Sequence, residues 1–268
     1  MRFRAPPRDA VPPACFDHPV FADFERWRGL LEGEAWPDCA ALESAAAEQG
    51  MDLRFVAQSP ALLEDGLHYE QRIAAGRGIA TREANWHDLL NALIWLRWPS
   101  VKRAMNARQA ADVARLGNKQ RSRGQQALTH FDEAGVLVLL RDRAALDDWD
   151  RHAWDRLFPA LAAEDVSVVV IGHALLEHAL EPGRLLVGKA LVVIDPRLDR
   201  EAAVGRVSAA IACGDLLQDP QEMRPLPLMG LRGWHPRGGD PGFCREAECF
   251  QPVRPGRRYP DPLAAPLP

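Results

Sequence analysis

His87 and Asn91 stand four residues apart in Asn85-Trp86-His87-Asp88-Leu89-Leu90-Asn91. On a helix that spacing sets two side chains next to each other on one side. His87 also falls in a first helical turn, where the dipole disfavours a protonated ring. A neutral imidazole there can act as a base or a metal ligand, with Asn91 orienting it or a substrate. The competing reading is a buried histidine satisfied by a nearby carboxylate. His173 and Glu177 repeat the spacing, just after the apolar run 166–172. Ligands of α/β sheets often bind at the carboxyl ends of strands. A His/Glu pair at that spacing can hold one metal, or the carboxylate can merely orient the ring. Asp132 and Glu133 are adjacent carboxylates. They are expected at a hairpin tip, where such residues usually serve the turn. If a cleft reaches them, they can bind a divalent cation or serve as acid and base.

Arg97 falls inside an apolar stripe and in a last helical turn, where it can bond free carbonyls or hold an anion. Lys189 sits in Gly188-Lys189-Ala190, which lacks the rest of a P-loop. Other chemistries are excluded by missing patterns. There is no His-Glu-x-x-His and no Gly-x-Ser-x-Gly. Gly76-Arg77-Gly78 lacks both a third glycine and a preceding strand. His235, Cys244 and Cys249 make a poor zinc set, because Cys-x4-Cys is badly spaced and a fourth ligand is not obvious.

The elements that must position these groups follow from pattern. Trp86, Leu89, Leu90, Leu93 and Ile94 keep a helical period between Asn85, a natural N-cap, and Pro99, a stop. This predicts a helix over 85–98. Trp95 on the opposite side marks it as central. Residues 101–116 read as a second helix, polar and basic on one face. Shorter helices are expected at 21–31, 39–49, 173–180 and 201–217. Residues 128–131 and 136–140 read as a hairpin around Asp132-Glu133-Ala134-Gly135. Residues 167–171 and 191–194 read as further strands. The fold class is mixed α+β: a helical N-terminal half packed on a small mixed β-sheet. Residues 1–20 form a proline-rich segment and 21–219 a single globular domain. Residues 220–268 form an extended proline-rich tail wrapping that domain. Eleven of the 22 prolines fall in the final 49 residues, so regular structure is expected to stop after Pro220.

The chain has 268 residues, 47% of them hydrophobic, enough for one large core or two small ones. No apolar run approaches the roughly 18 residues of a membrane helix. The N-terminus lacks a secretory apolar core, and five widely spaced cysteines argue against a disulfide framework. A cytoplasmic location with no membrane partner is expected. Three lysines stand against 30 arginines, which reads as the codon usage of a GC-rich bacterial genome, so the number of arginines weighs little. Their placement weighs more. Residues 97–123 hold eight cationic side chains and one acid, Asp112. Such a stretch marks a phosphate or nucleic-acid surface, or else a basic face neutralised by the rest of the fold. Few aromatics interleave with it, which argues against single-strand stacking.

The run Asn85 to Arg97, followed by Pro99, Lys102 and Asn106, resembles the signature of a bacterial family, domain of unknown function 3025. Leu128-Thr129 with Phe131-Asp132-Glu133 and Gly135 fits it as well. So do Gly172-His173-Ala174-Leu175 with Glu177, and Gly188-Lys189-Ala190. The order and spacing agree over roughly residues 20 to 255. The resemblance implies a largely single-domain protein and no particular activity. It singles out the residues chosen on physical grounds, and it leaves out Cys244 and Cys249.

Three functions stay open. The first is a hydrolase or group transferase acting on an anionic or phosphate-bearing small molecule. His87, Asn91, His173 and Asp132 would be catalytic. Arg97, Lys189, Lys102 and Asn106 would hold the substrate, and a divalent metal would sit on His173 and Glu177. The second is a nucleic-acid-binding protein using 97–123. The third is a non-catalytic scaffold whose polar motifs hold the core together.

Overall fold

The computed structural model describes residues 3–117 and 120–264. Two short strands, β1 (Phe55–Ala57) and β2 (Ile79–Thr81), pair in parallel. The main sheet comprises β3 (Gly135–Leu140), β4 (Val166–Val170), β5 (Val187–Ile194), β6 (Arg224–Pro227) and β7 (Leu263–Ala264). Its order is β4-β3-β5-β6, with β7 also on β5. β3 runs antiparallel to β4 and parallel to β5, while β6 runs antiparallel to β5. The sheet is therefore mixed, as expected. Every residue of β3 is buried, which is why Val136-Leu137-Val138-Leu139-Leu140 is apolar without alternation.

Six helices position the polar residues: α1 (Tyr69–Ala74), α2 (Trp86–Arg97), α3 (Pro99–Leu116), α4 (Arg123–Ala134), α5 (His173–Ala179) and α6 (Arg200–Cys213). α2 is central. Leu90, Leu93 and Ile94 are fully buried, and Trp86 and Trp95 nearly so. The Asn85 side chain accepts from the Asp88 N–H at 3.0 Å and starts the helix. Trp98 leaves helical geometry, and α3 begins at Pro99. Packed on α2 is α5; α3 packs against α1 and α6, and α4 against α5 and the sheet. No helix among the described residues is long and apolar enough to cross a membrane.

The expected hairpin at 128–140 is corrected. Residues 123–134 are helical, and β3 follows directly at Gly135. A capping box decides it: the Ser122 hydroxyl accepts from the Gln125 N–H, and the Gln125 side chain accepts from the Ser122 N–H. Gly135 makes the abrupt change of direction possible, since a Cβ there would lie 2.2 Å from the Phe131 carbonyl oxygen. Asp132 and Glu133 thus leave the last turn of a helix, not the tip of a turn.

Regular structure also continues past Pro220. β6 and a short helix, Pro241–Glu246, follow, and Phe243, Cys244, Cys249 and Phe250 are buried. The extended part begins near 251. There Arg257 donates to the carbonyls of Gln221 and Met223, and β7 adds to β5.

Candidate functional site

His87 lies on the first turn of α2, and His173 is the first residue of α5. Their Nε2 atoms face each other at 2.8 Å, with the rings nearly perpendicular. Two imidazole lone pairs cannot point at each other at that distance: either one ring donates a proton to the other, or both turn toward a cation set to one side of the line that joins them. The Nδ1 of His87 is 2.8 Å from a Glu177 carboxylate oxygen. Glu177 therefore orients His87 from behind and does not pair with His173, its neighbour on α5. The carboxylate that joins the two rings is Glu133, whose Oε2 is 3.8 Å from the His173 Nε2. Ligand atoms of His87, His173 and Glu133 all lie within 4.8 Å of one another. It is the one such His/Cys/Asp/Glu grouping among the described residues.

Gly172 brings these pieces together. A Cβ there would sit 2.5 Å from the Ala134 Cα and the Gly135 nitrogen. Both Ile171 and Gly172 donate their N–H groups to the Gly135 carbonyl. The start of α5 is thereby pressed on the end of α4, which sets His173 beside Asp132 and Glu133.

Burial dominates the electrostatics. It pushes His173 down to about 3, so its ring is neutral at ordinary pH. The Nδ1 of His173 rests against the Asp132 backbone carbonyl without a well-aligned hydrogen bond, 3.9 Å from an Asp132 carboxylate oxygen. His87 moves up instead. The Glu177 carboxylate on its Nδ1 is the main cause, and burial opposes it. Glu133 is raised by burial, partly offset by the charge of His87. Burial also works against the Asp132 carboxylate, but the Lys102 ammonium beside it keeps it below the usual range.

Below the histidines lies a polar network. The buried Lys102 donates to Asp132 and, at 2.8 Å, to the Asn91 side-chain oxygen. Asn91 in turn donates to the Tyr69 hydroxyl at 3.0 Å. Asn106 donates to both the backbone carbonyl and a carboxylate oxygen of Glu70. The network floors a cavity of about 340 Å³, lined among others by His87, Asn91, Asp132, Glu133, His173 and Glu70. Arg82 and Arg121 contribute to its wall. Lys102 and Asn106 lie behind this lining, holding carboxyl groups in place.

Two expected anion binders lie elsewhere. Arg97 pairs with Glu201 at 2.6 Å and stacks on Trp98. Lys189, on β5, is half-buried and close enough to Glu133 to be affected by its charge, but is not part of the cavity lining. Within 97–123 most charges are consumed internally. Arg108 donates to the carbonyls of Leu216 and Leu217, Arg115 pairs with Asp112, and Arg123 pairs with Asp219. Lys119 lies outside the described residues. Glu70 was not legible in the sequence: nothing in its spacing sets it apart, and its partner is 36 positions away.

A family model described as protein of unknown function (DUF3025) matches residues 53–254. The chain belongs to this family. The DUF3025 span takes in β1 to β6 and every residue of the His87–His173–Glu133 cluster and its supporting network. No curated protein and no solved structure matches the chain. The DUF3025 description names no activity, so the chemistry must be argued from the site.

Proposed function

We propose that the cavity is the active site of a metal-dependent hydrolase. A divalent cation would be held by Nε2 of His87, Nε2 of His173 and a Glu133 carboxylate oxygen. One observation carries the reading: two Nε2 atoms converge at 2.8 Å beside a carboxylate, and the outer nitrogen of His87 is backed by Glu177. Metal-bound histidines are characteristically braced in this way from the far nitrogen. Two imidazoles and one carboxylate leave a fourth position for water, and a cation there makes that water nucleophilic near neutral pH. His173, neutral through burial, is ready to act as a ligand. Lys102, itself held by the Asn91 side-chain oxygen, fixes Asp132, which in turn flanks the His173 ring.

The substrate is a small anionic molecule. The cavity volume of about 340 Å³ suits one. Arg121 lines the wall and has no ion-pair partner among the described residues, which leaves its charge for a ligand. The basic stretch carries no comparable case for nucleic acid, because its charges are largely paired within the fold.

The test is calorimetry on chelator-stripped protein titrated with zinc, manganese and magnesium, followed by ester and phosphoester hydrolysis. One equivalent of cation should bind the wild type, and binding should vanish in His87→Ala and His173→Ala. If no cation binds, the histidines share a proton and the metal reading falls.

A further inference from the structure

Lys102 and Asn106 lie one turn apart on α3, so their side chains leave the same face. Each holds a carboxyl group, but with different chemistry. Lys102 offers an ammonium to Asp132; Asn106 offers a neutral amide to Glu70. The ammonium favours an ionised partner. The amide satisfies one oxygen of Glu70 without charge compensation, and the Asp132 carboxylate is near enough to disfavour a second negative charge. The Asn106 amide reaches the backbone carbonyl and Oε2 of Glu70, and Oε1 has no hydrogen-bond partner among the described residues. Glu70 lines the same cavity as His87, His173 and Glu133.

We propose that Glu70 is the general acid of this site, delivering its carboxyl proton to the leaving group in the cavity it shares with the His87–His173 pair. The inference rests on the hydrolytic reading above and deepens it. Burial raises Glu70 to about 7, opposed by the Asn106 hydrogen bond, with Asp132 pushing it up and Lys102 pulling it down. Tyr69, beside it on α1, bonds to Asn91 and presents no charge of its own. Two carboxyls with environments that push them apart are the usual basis for separate acid and charged roles.

In the reaction, the oxygen of the attacking water forms the new bond to carbon or phosphorus. The bond to the leaving atom breaks, its electron pair goes to that atom, and that atom takes the Glu70 proton. The proton lost by the water passes to solvent, and Glu70 is reprotonated from solvent. A built-in acid is needed only when the leaving atom is strongly basic. The substrate class is therefore an alkyl ester or alkyl phosphate, not an anhydride or an aryl ester.

The experiment compares Glu70→Gln with the cation-loaded wild type on 4-nitrophenyl and alkyl esters of the same acid, phosphoric and acetic in parallel. Glutamine keeps an acceptor for Asn106 and removes the proton. The ratio of alkyl to nitrophenyl turnover should fall about 10²-fold or more. An unchanged ratio overturns the proposal and leaves the hydrolase standing. Wild-type protein that binds the cation but turns over none of these esters overturns both. Carboxyl-carbon NMR of the full chain gives a separate reading: a glutamate titrating near neutrality should be present in the wild type and absent in the variant. If Glu70 titrates with the ordinary carboxylates, the proposal fails whatever the kinetics.

Discussion

The Nε2 of His87 and the Nε2 of His173 meet at 2.8 Å although the residues are 86 positions apart. Neither helix alone specifies this contact. It depends on Glu177, one turn beyond His173, reaching back to the Nδ1 of His87 and turning that ring. A proton on Nδ1 leaves Nε2 free to bind a cation. The ring's orientation and its basicity thus share one cause.

Glu177→Gln tests this cause. Glutamine can still accept the hydrogen bond but carries no charge. Cation affinity should fall about 10–100-fold, the usual cost of losing such a brace. In cation-free protein, the His87 ring should titrate at lower pH, because the carboxylate is the largest contribution raising it. Calorimetry reads the first and imidazole NMR the second. An unchanged affinity with a shifted ring would mean that Glu177 tunes a proton and not a metal.

Lys102→Met should be among the most destabilising single changes in the protein. It leaves the Asp132 carboxylate facing a buried gap where the ammonium was. Breaking a buried ion pair from one side costs about 3–5 kcal/mol. Adding Asp132→Leu should recover part of that, since no uncompensated charge remains. Chemical denaturation of both variants checks the pair. Equal stability of the single and double variants would show that the carboxylate is hydrated or protonated in the absence of Lys102.

Much of the site was legible because residue type and spacing carried it. His87, Asn91 and His173 stood out, and α2 was legible because cap, stop and period agreed at Asn85, Pro99 and Trp86–Ile94. α4 was not. Leu128–Phe131 and Val136–Leu140 are both short apolar runs, and such runs do not distinguish helix from strand. The signal that decides is the capping box six residues upstream, Ser122 with Gln125. The segment after Pro220 was misleading for a different reason. Pro225 and Pro227 lie in β6, an edge strand of the sheet, where a missing N–H is tolerated. Glu70 was hidden because its partner is Asn106 on another helix, a long-range relation that no local pattern encodes.

Glu70 also gives the protein a pH signature independent of turnover. Its pKa is about 7 in the fold against 4.5 when free. The folded state therefore binds the proton more tightly than the unfolded state. The contribution is fully present below about pH 4.5 and is lost as pH rises through about 7. Glu70→Gln removes it. The melting temperature of the variant relative to wild type should rise between pH 5 and pH 8, measured calorimetrically on cation-free protein. A constant difference would mean that Glu70 titrates as an ordinary carboxyl.

Gly172→Ala separates the site from the stability of its parts. The new Cβ would lie 2.5 Å from the Ala134 Cα and the Gly135 nitrogen, both backbone atoms. Neither can swing aside, so α5 must move away from the end of α4. Overpacking of this kind costs about 1–3 kcal/mol, which corresponds to a drop in melting temperature of about 2–4 °C per kcal/mol for a chain of this size. The displacement acts on the contact between His173 and Glu133, so cation affinity should fall even in the fully folded fraction. Gly205→Ala on α6 is the control: nothing lies within 4 Å of its Cβ position. That variant should be neutral or slightly more stable, through helix propensity, and should bind the cation as the wild type does. Wild-type affinity in Gly172→Ala would show that the cluster tolerates a wider gap between α4 and α5, and Glu133 would then lose its place among the ligands.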